Sequence, residues 1–151
     1  MSVDMTKWQE MAKERIHDRP AGTGRLAGKV TIVTGAAQGF GKGIAQELHR
    51  EGAAVIIADM NLPLAESVAA EMGGNTTAIA VNVSDEESVA DLVAQTVEKF
   101  GGLDLMVANA GVVRSGPLAS FEKKDFEFVT SINYTGLFLC CKYAAIIMEA
   151  Q

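Results

Sequence analysis

The sequence predicts an α/β fold with a doubly wound parallel sheet, preceded by a helical extension. Three observations carry this. Residues 30–34, Val-Thr-Ile-Val-Thr, form an unbroken β-branched run of the kind found in strands buried on both faces. Gly35, Gly39 and Gly41 then turn the chain directly into an Ala/Ile/Leu-patterned helix. Beyond it, apolar strand-like runs alternate with amphipathic helical stretches until four strands and three helices have passed. Parallel strands must cross over through helices, so this alternation favours a parallel sheet covered on both faces.

Composition sets the class of molecule. The 151 residues are 48% hydrophobic and 21% charged, which suits one globular domain. A formal net charge of -6 and a pI near 4.9 argue against nucleic acid or an anionic membrane as the main partner, because both select basic faces. The first ten residues hold no signal-peptide core, and no uninterrupted apolar run reaches bilayer-spanning length, so a cytoplasmic protein is expected. Cys140 and Cys141 are neighbours on a predicted helix, where their side chains diverge; they read as small hydrophobes. His17 and His49 are isolated and no metal-ligand spacing occurs, so no metal site is expected.

The extension comes first in the chain. Residues 6–17 read as a short amphipathic helix, with Thr6 and Gln9 at capping-box spacing and Trp8, Met11, Ala12 and Ile16 near one face. Residues 20–28, with Gly22, Gly24 and Gly28, read as a connector, placing an extension at 1–25 and the main domain at 26–151. The helix is either an interface arm or linker tail, or a helix packed on its own domain.

The glycine turn is an anion site by construction. The first turn of a helix has free N–H groups at the positive end of the macrodipole, and a Cβ at the glycines would block a pyrophosphate from reaching them. The spacing Gly35-x-x-x-Gly39-x-Gly41 differs from G-x-G-x-x-G, and Ala36 stands where a Walker A loop needs glycine. Thr34-Gly35-x-x-x-Gly39-x-Gly41, with Gln38 and Phe40 inside it, resembles the cofactor loop of the short-chain dehydrogenase/reductase family. The resemblance implies a Rossmann-like fold, an NAD(P) cofactor and an alcohol or ketone substrate.

Later positions fit that pattern. The second strand, residues 53–58, ends at Asp59, about twenty residues past the glycine loop, where a dinucleotide site uses an acid to accept hydrogen bonds from the ribose hydroxyls. An acid there also repels a 2′-phosphate. Gln38 and Met60, often basic in NADP-preferring relatives, are uncharged, so NAD is the expected cofactor. A helix with Leu64, Ala65, Val68 and Met72 on one face leads through a turn at 73–75 to a third strand ending at Val81. Asn82-Val83 follows where the family usually has Asp-Val; the resemblance assigns it to the adenine, and the asparagine amide oxygen is expected to accept from the exocyclic amine. Ser84 and Glu87 form a second capping-box pattern, and Val89, Leu92, Val93, Val97 and Phe100 make the apolar face of the next helix.

The fourth strand, residues 103–108, delivers Asn109-Ala110-Gly111, which resembles the family's Asn-Ala-Gly motif under the middle of the cofactor, where the asparagine can tie strand ends together. After a loop over 112–120, a long helix from about Asp125 carries Asn133, matching an asparagine that in the family holds a water linked to the catalytic lysine. Ile132, Leu137, Phe138 and Leu139 around it lead us to expect a buried side chain. Arg114 reads either as a solvated loop arginine or as a phosphate or carboxylate ligand.

The family's Tyr-x-x-x-Lys pair does not occur in these residues: Tyr134 is followed four residues on by Phe138, and Tyr143 by Ile147. The resemblance thus covers 26–151 and the cofactor half of the fold. The expectation is the NAD-binding half of a dehydrogenase acting on a secondary alcohol, such as a polyol or sugar phosphate, inactive as this chain alone. Its fourth strand is left at a sheet edge, and association into a homo-oligomer is expected. The alternative is a non-catalytic dinucleotide-binding or assembly module.

Overall fold

The computed structural model describes residues 3–151. Its elements run α1 (Thr6–Glu14), β1 (Val30–Thr34), α2 (Gly39–Arg50), β2 (Ala54–Asp59), α3 (Leu62–Met72), β3 (Thr76–Ala80), α4 (Glu86–Phe100) and β4 (Leu105–Val107). A single turn of 3-10 helix (Leu118–Ser120) then leads to α5 (Lys123–Thr130), a π-helical turn (Ser131–Thr135) and α6 (Gly136–Met148). The four strands form one parallel sheet in the order β3-β2-β1-β4.

Strand alternation divides the core into two layers. Val30 and Ile32 of β1, with Ala54, Ile56 and Ala58 of β2, face α4 and α6. Val33, Val55 and Ile57 point the other way, onto Ala45 of α2 and Ala65 and Val68 of α3. Since both faces of β1 and β2 are covered, neither alternates apolar with charged residues: β1 is a buried β-branched run that includes Thr31 and Thr34, and β2 is apolar up to Asp59. Among the described residues β4 pairs only with β1 and lies at the sheet edge, where Leu105 is exposed.

The extension packs on the body of the molecule. α1 lies against α4 and α6: Trp8 Nε1 donates to Glu98, Gln9 Nε2 to the Ile146 carbonyl, and Arg15 to the Glu98 carbonyl at the end of α4. The Val3 N–H donates to the buried Tyr143 hydroxyl, which donates in turn to Glu86. The Lys142 ammonium and that hydroxyl, in this order of effect, hold the Glu86 carboxyl below its ordinary pKa.

Several boundaries differ from those expected. α1 ends at Glu14 rather than residue 17, with Arg15 drawn away toward the α4 terminus. Its capping box is not formed, because the Asp4 carboxylate takes both the Thr6 N–H and the Thr6 hydroxyl. At α4 the cap moves one residue on: Ser84 is engaged by Asn82, and Asp85 accepts from Glu87 N–H instead. β4 is shorter than 103–108 because Leu103 pairs with the Gln151 side chain and Asp104 with Val30. Finally, Lys123–Met148 is one continuous helical stretch of 26 residues, long and apolar enough by length and composition to cross a membrane, although polar residues such as Asn133 and Lys142 interrupt it. Here its face bearing Leu139, Cys140, Tyr143, Ala144 and Ile147 is buried in the α4 layer.

Candidate dinucleotide site

A cavity of about 390 Å³ opens at the carboxyl ends of the strands. The chain leaves β1 toward β2 and β3 on one side and returns through α4 to β4 on the other, so the cavity sits where the strand order reverses. Such crevices are the ligand positions of open α/β sheets.

The glycine loop forms one wall. Gly35 has φ +65°, and a Cβ on it would lie 2.9 Å from the Ala110 Cα. On Gly41 a Cβ would lie 2.6 Å from Asn109 Nδ2 and 2.8 Å from the Gly35 carbonyl carbon. These two glycines therefore let the first turn of α2 close down on the strand ends. Gly39 has φ +58° with nothing within 4 Å of its absent side chain, so it serves the turn itself. Gln38 is the N-cap of α2 and makes no side-chain cap hydrogen bond, leaving the first-turn N–H groups to an incoming acceptor.

Two polar ties hold this wall to the sheet. Asn109 Nδ2 donates to the carbonyls of Thr34 (2.9 Å) and Gly35 (3.3 Å), while the N–H groups of Asn109 and Ala110 both donate to Thr34 Oγ1 at 3.0 Å. Asp59, at the end of β2, accepts from Ala37 N–H in the loop (3.1 Å) and from Asn61 N–H (3.0 Å). The carboxylate is thereby fixed beside the glycines, with its remaining acceptor capacity on the cavity.

Of the residues singled out from sequence, Gly35, Gln38, Phe40, Gly41, Asp59, Asn82, Val83, Asn109, Ala110 and Gly111 all line this cavity; Gly39 lies in the loop between them without lining it. Met60, Val81, Val112 and Ile132 complete the lining. Met60 was already marked as the position after the acid; the signal for the other three was adjacency to the motifs, since Val81 precedes Asn82, Val112 follows Gly111 and Ile132 precedes Asn133. Thr34, the acceptor for two loop N–H groups, had a signal in its place before Gly35.

Asn133 stands apart from the cavity lining. Its Oδ1 accepts from Val112 N–H and its Nδ2 donates to the Val112 carbonyl, both at 2.8 Å, so the side chain clamps the loop after β4. It is exposed rather than buried, as are Tyr134, Leu137 and Phe138, because among the described residues nothing covers that side of the helix. Asn82 also differs from expectation: its amide oxygen already accepts from Ser84 N–H (3.1 Å) and Ser84 Oγ (2.8 Å). Arg114 lies 3.9 Å from the Asp125 carboxylate and 5.2 Å from the Phe128 ring centroid, which gives it protein partners of its own. Among the described residues no group of His, Cys, Asp and Glu is placed to hold a metal ion.

The donor set suits a dinucleotide. Free N–H groups and a glycine cradle suit a pyrophosphate, the adjoining carboxylate suits a diol, and the apolar walls beyond it suit a flat base. Known proteins agree with this geometry. Secoisolariciresinol dehydrogenase of Forsythia intermedia is 43% identical over 129 residues, 82% of this chain and 46% of its own. Tropinone reductase-like 1 of Erythroxylum coca is 40% identical over 131 residues, 84% of this chain and 48% of its own. Sorbitol dehydrogenase of Cereibacter sphaeroides is 36% identical over 126 residues, 83% and 49% respectively. The chain spans about half the length of the curated relatives it matches. The crystal structure of 3-ketoacyl-(acyl-carrier-protein) reductase from Brucella melitensis complexed with NADH superposes with a TM-score of 0.75 at 36% identity, covering 78% of this chain and 49% of that one. The family profile described as short chain dehydrogenase matches residues 29–151, and the chain belongs to that family of oxidoreductases.

Proposed function

We propose that this chain is the cofactor-binding part of an NAD-dependent dehydrogenase that interconverts a secondary alcohol and a ketone. The observation that carries the reading is Asp59, held by Ala37 N–H against the glycine loop in the same cavity. The first-turn N–H groups of α2 take the pyrophosphate, and Asp59 accepts from the adenosine ribose hydroxyls. The same carboxylate repels a 2′-phosphate, and neither Gln38 nor Met60 supplies a compensating charge, so NAD is preferred over NADP. Asn109, Ala110 and Gly111 bed the middle of the cofactor. Asn133 fixes the Val112 loop beside them. The nicotinamide supplies hydride transfer when bound. Proton exchange with the alcohol belongs to a Tyr-x-x-x-Lys segment outside these 151 residues. A polyol or sugar phosphate is the substrate class to test first, in keeping with the sorbitol dehydrogenase relative. We place the protein in the cytoplasm as a homo-oligomer.

The test is binding and turnover with the natural-length polypeptide. NAD is expected to raise the unfolding temperature and to bind at least tenfold more tightly than NADP. Asp59→Ala should narrow that preference, and polyols should support NADH formation. NAD protection without turnover of any alcohol would favour a non-catalytic binding module. No protection by either dinucleotide would refute the reading.

A further inference from the structure

The extension is fastened to both ends of α4. At the carboxyl end, Arg15 Nη1 donates to the carbonyls of Val97 (3.4 Å) and Glu98 (2.8 Å), and Trp8 Nε1 donates to the Glu98 carboxylate (3.2 Å). At the amino end the tie runs through α6. There the Val3 N–H donates to the Tyr143 hydroxyl (3.2 Å), which donates to Glu86 Oε1 (2.9 Å), and Lys142 Nζ donates to the same oxygen (2.6 Å). Between these ends Met5 and Ala12 are buried in the core cluster shared with α4 and α6. Sliding α4 along its axis would break contacts at both ends at once.

What α4 and α6 support is a wall of the cavity. Val83 lines the cavity and stands three residues before the first residue of α4. It also lies directly on α6, since a Cβ on Gly136 would meet Val83 Cγ2 at 2.9 Å and the Val83 carbonyl oxygen at 3.2 Å. With so little clearance in a close-packed interior, a shift of α4 against α6 moves Val83. Among the described residues no hydrogen bond joins residues 3–19 to the cavity lining, so any effect of the extension on the cavity passes through these two helices.

We propose that the extension is a positioning element for the cofactor cavity: it holds α4 against α6 and so fixes the wall at Val83, with Arg15 the positioning residue that grips α4. The inference rests on the NAD reading above. Residues 3–28 precede the stretch matched by the family profile, 29–151, so this support lies outside the matched part of the fold. A site whose wall is correctly placed in only a fraction of molecules binds with a dissociation constant raised by the inverse of that fraction. Loosening the extension therefore weakens NAD without removing any group that meets it.

The experiment is calorimetric titration of the natural-length polypeptide with NAD, well below its unfolding temperature, beside thermal unfolding of the same samples. Three variants are compared with the native chain: one lacking residues 1–18, Arg15→Ala, and Asn75→Ala. The last removes the bond from Asn75 Nδ2 to the Ala21 carbonyl (3.0 Å) and so loosens the connector away from α4. Loss of residues 1–18 should raise the dissociation constant about tenfold and Arg15→Ala about threefold, whereas Asn75→Ala should lower the unfolding temperature and change NAD binding by less than about twofold. If the shortened chain does not fold, Arg15→Ala set against Asn75→Ala decides the matter. An Arg15→Ala protein that unfolds earlier but binds NAD as the native chain does has lost only stability, and that result overturns the proposal. Asn75→Ala weakening NAD as much as Arg15→Ala also overturns it, because general loosening would then suffice. Failure of the native polypeptide to bind NAD overturns the NAD reading and this inference with it.

Discussion

Replacing glycines by alanine along one turn of α2 separates the three reasons a glycine can be present. At Gly41 the new Cβ would meet Asn109 Nδ2 at 2.6 Å and the Gly35 carbonyl carbon at 2.8 Å, with the Gly35 oxygen closer still. Backbone cannot swing aside as a side chain can, so the overpacking cost belongs in the upper part of its range, about 2–3 kcal/mol. The helix preference of alanine returns about 1 kcal/mol, leaving a net loss of about 1–2 kcal/mol. Gly43 lies in the same helix with nothing within 4 Å, so Gly43→Ala keeps the gain and should stabilise by up to about 1 kcal/mol. Gly39→Ala meets no atom but must hold φ +58°, which costs about 1–2 kcal/mol by backbone alone. For a chain of this size the Gly41 and Gly43 variants should melt roughly 5–10 °C apart. Gly41→Ala should also weaken NAD by more than tenfold, since the displaced groups form the pyrophosphate wall. Thermal unfolding followed by circular dichroism, with and without NAD, reads both effects. Equal destabilisation by Gly41→Ala and Gly43→Ala would refute the close-approach argument.

Two other predictions rest on single side chains. Asn109→Asp should destabilise more than Asn109→Ala, because the carboxylate oxygen would face the Thr34 and Gly35 carbonyls that the amide now satisfies; Asn109→Ala should cost about 1–3 kcal/mol, and unaltered unfolding of the aspartate variant would count against the tie. One thiol per chain should react quickly with a disulfide reagent: Cys141 is exposed, whereas burial first, and the neighbouring Cys141 second, push the Cys140 thiol up to about 11. With its folded value raised above the ordinary 9.0, Cys140 favours folding fully below pH 9 and loses that contribution as pH rises toward 11. Cys140→Ala should therefore melt with a shallower alkaline decline, and an unchanged slope would refute this assignment.

What could be read from sequence was whatever the chain must do locally. A run such as Val30–Thr34 has no polar face, so it announces burial on both sides, and Gly35 and Gly41 announce close approach because no other residue fits. Asp59 was legible because strand and turn fix where the end of β2 must lie. The features that escaped are outcomes of competition among neighbours. Ser84 had the spacing for a cap at α4, yet Asn82 captured its hydroxyl and Asp85 took its place. The same capture gives the Asn82 amide oxygen two partners inside its own loop. Asn133 escaped for another reason. Its pattern of apolar neighbours is right for burial, but burial depends on what packs over them, and that is a property of tertiary structure. A motif thus fixes where a functional side chain stands, while the hydrogen bonds it makes to its own loop decide which of its atoms remains to meet a ligand.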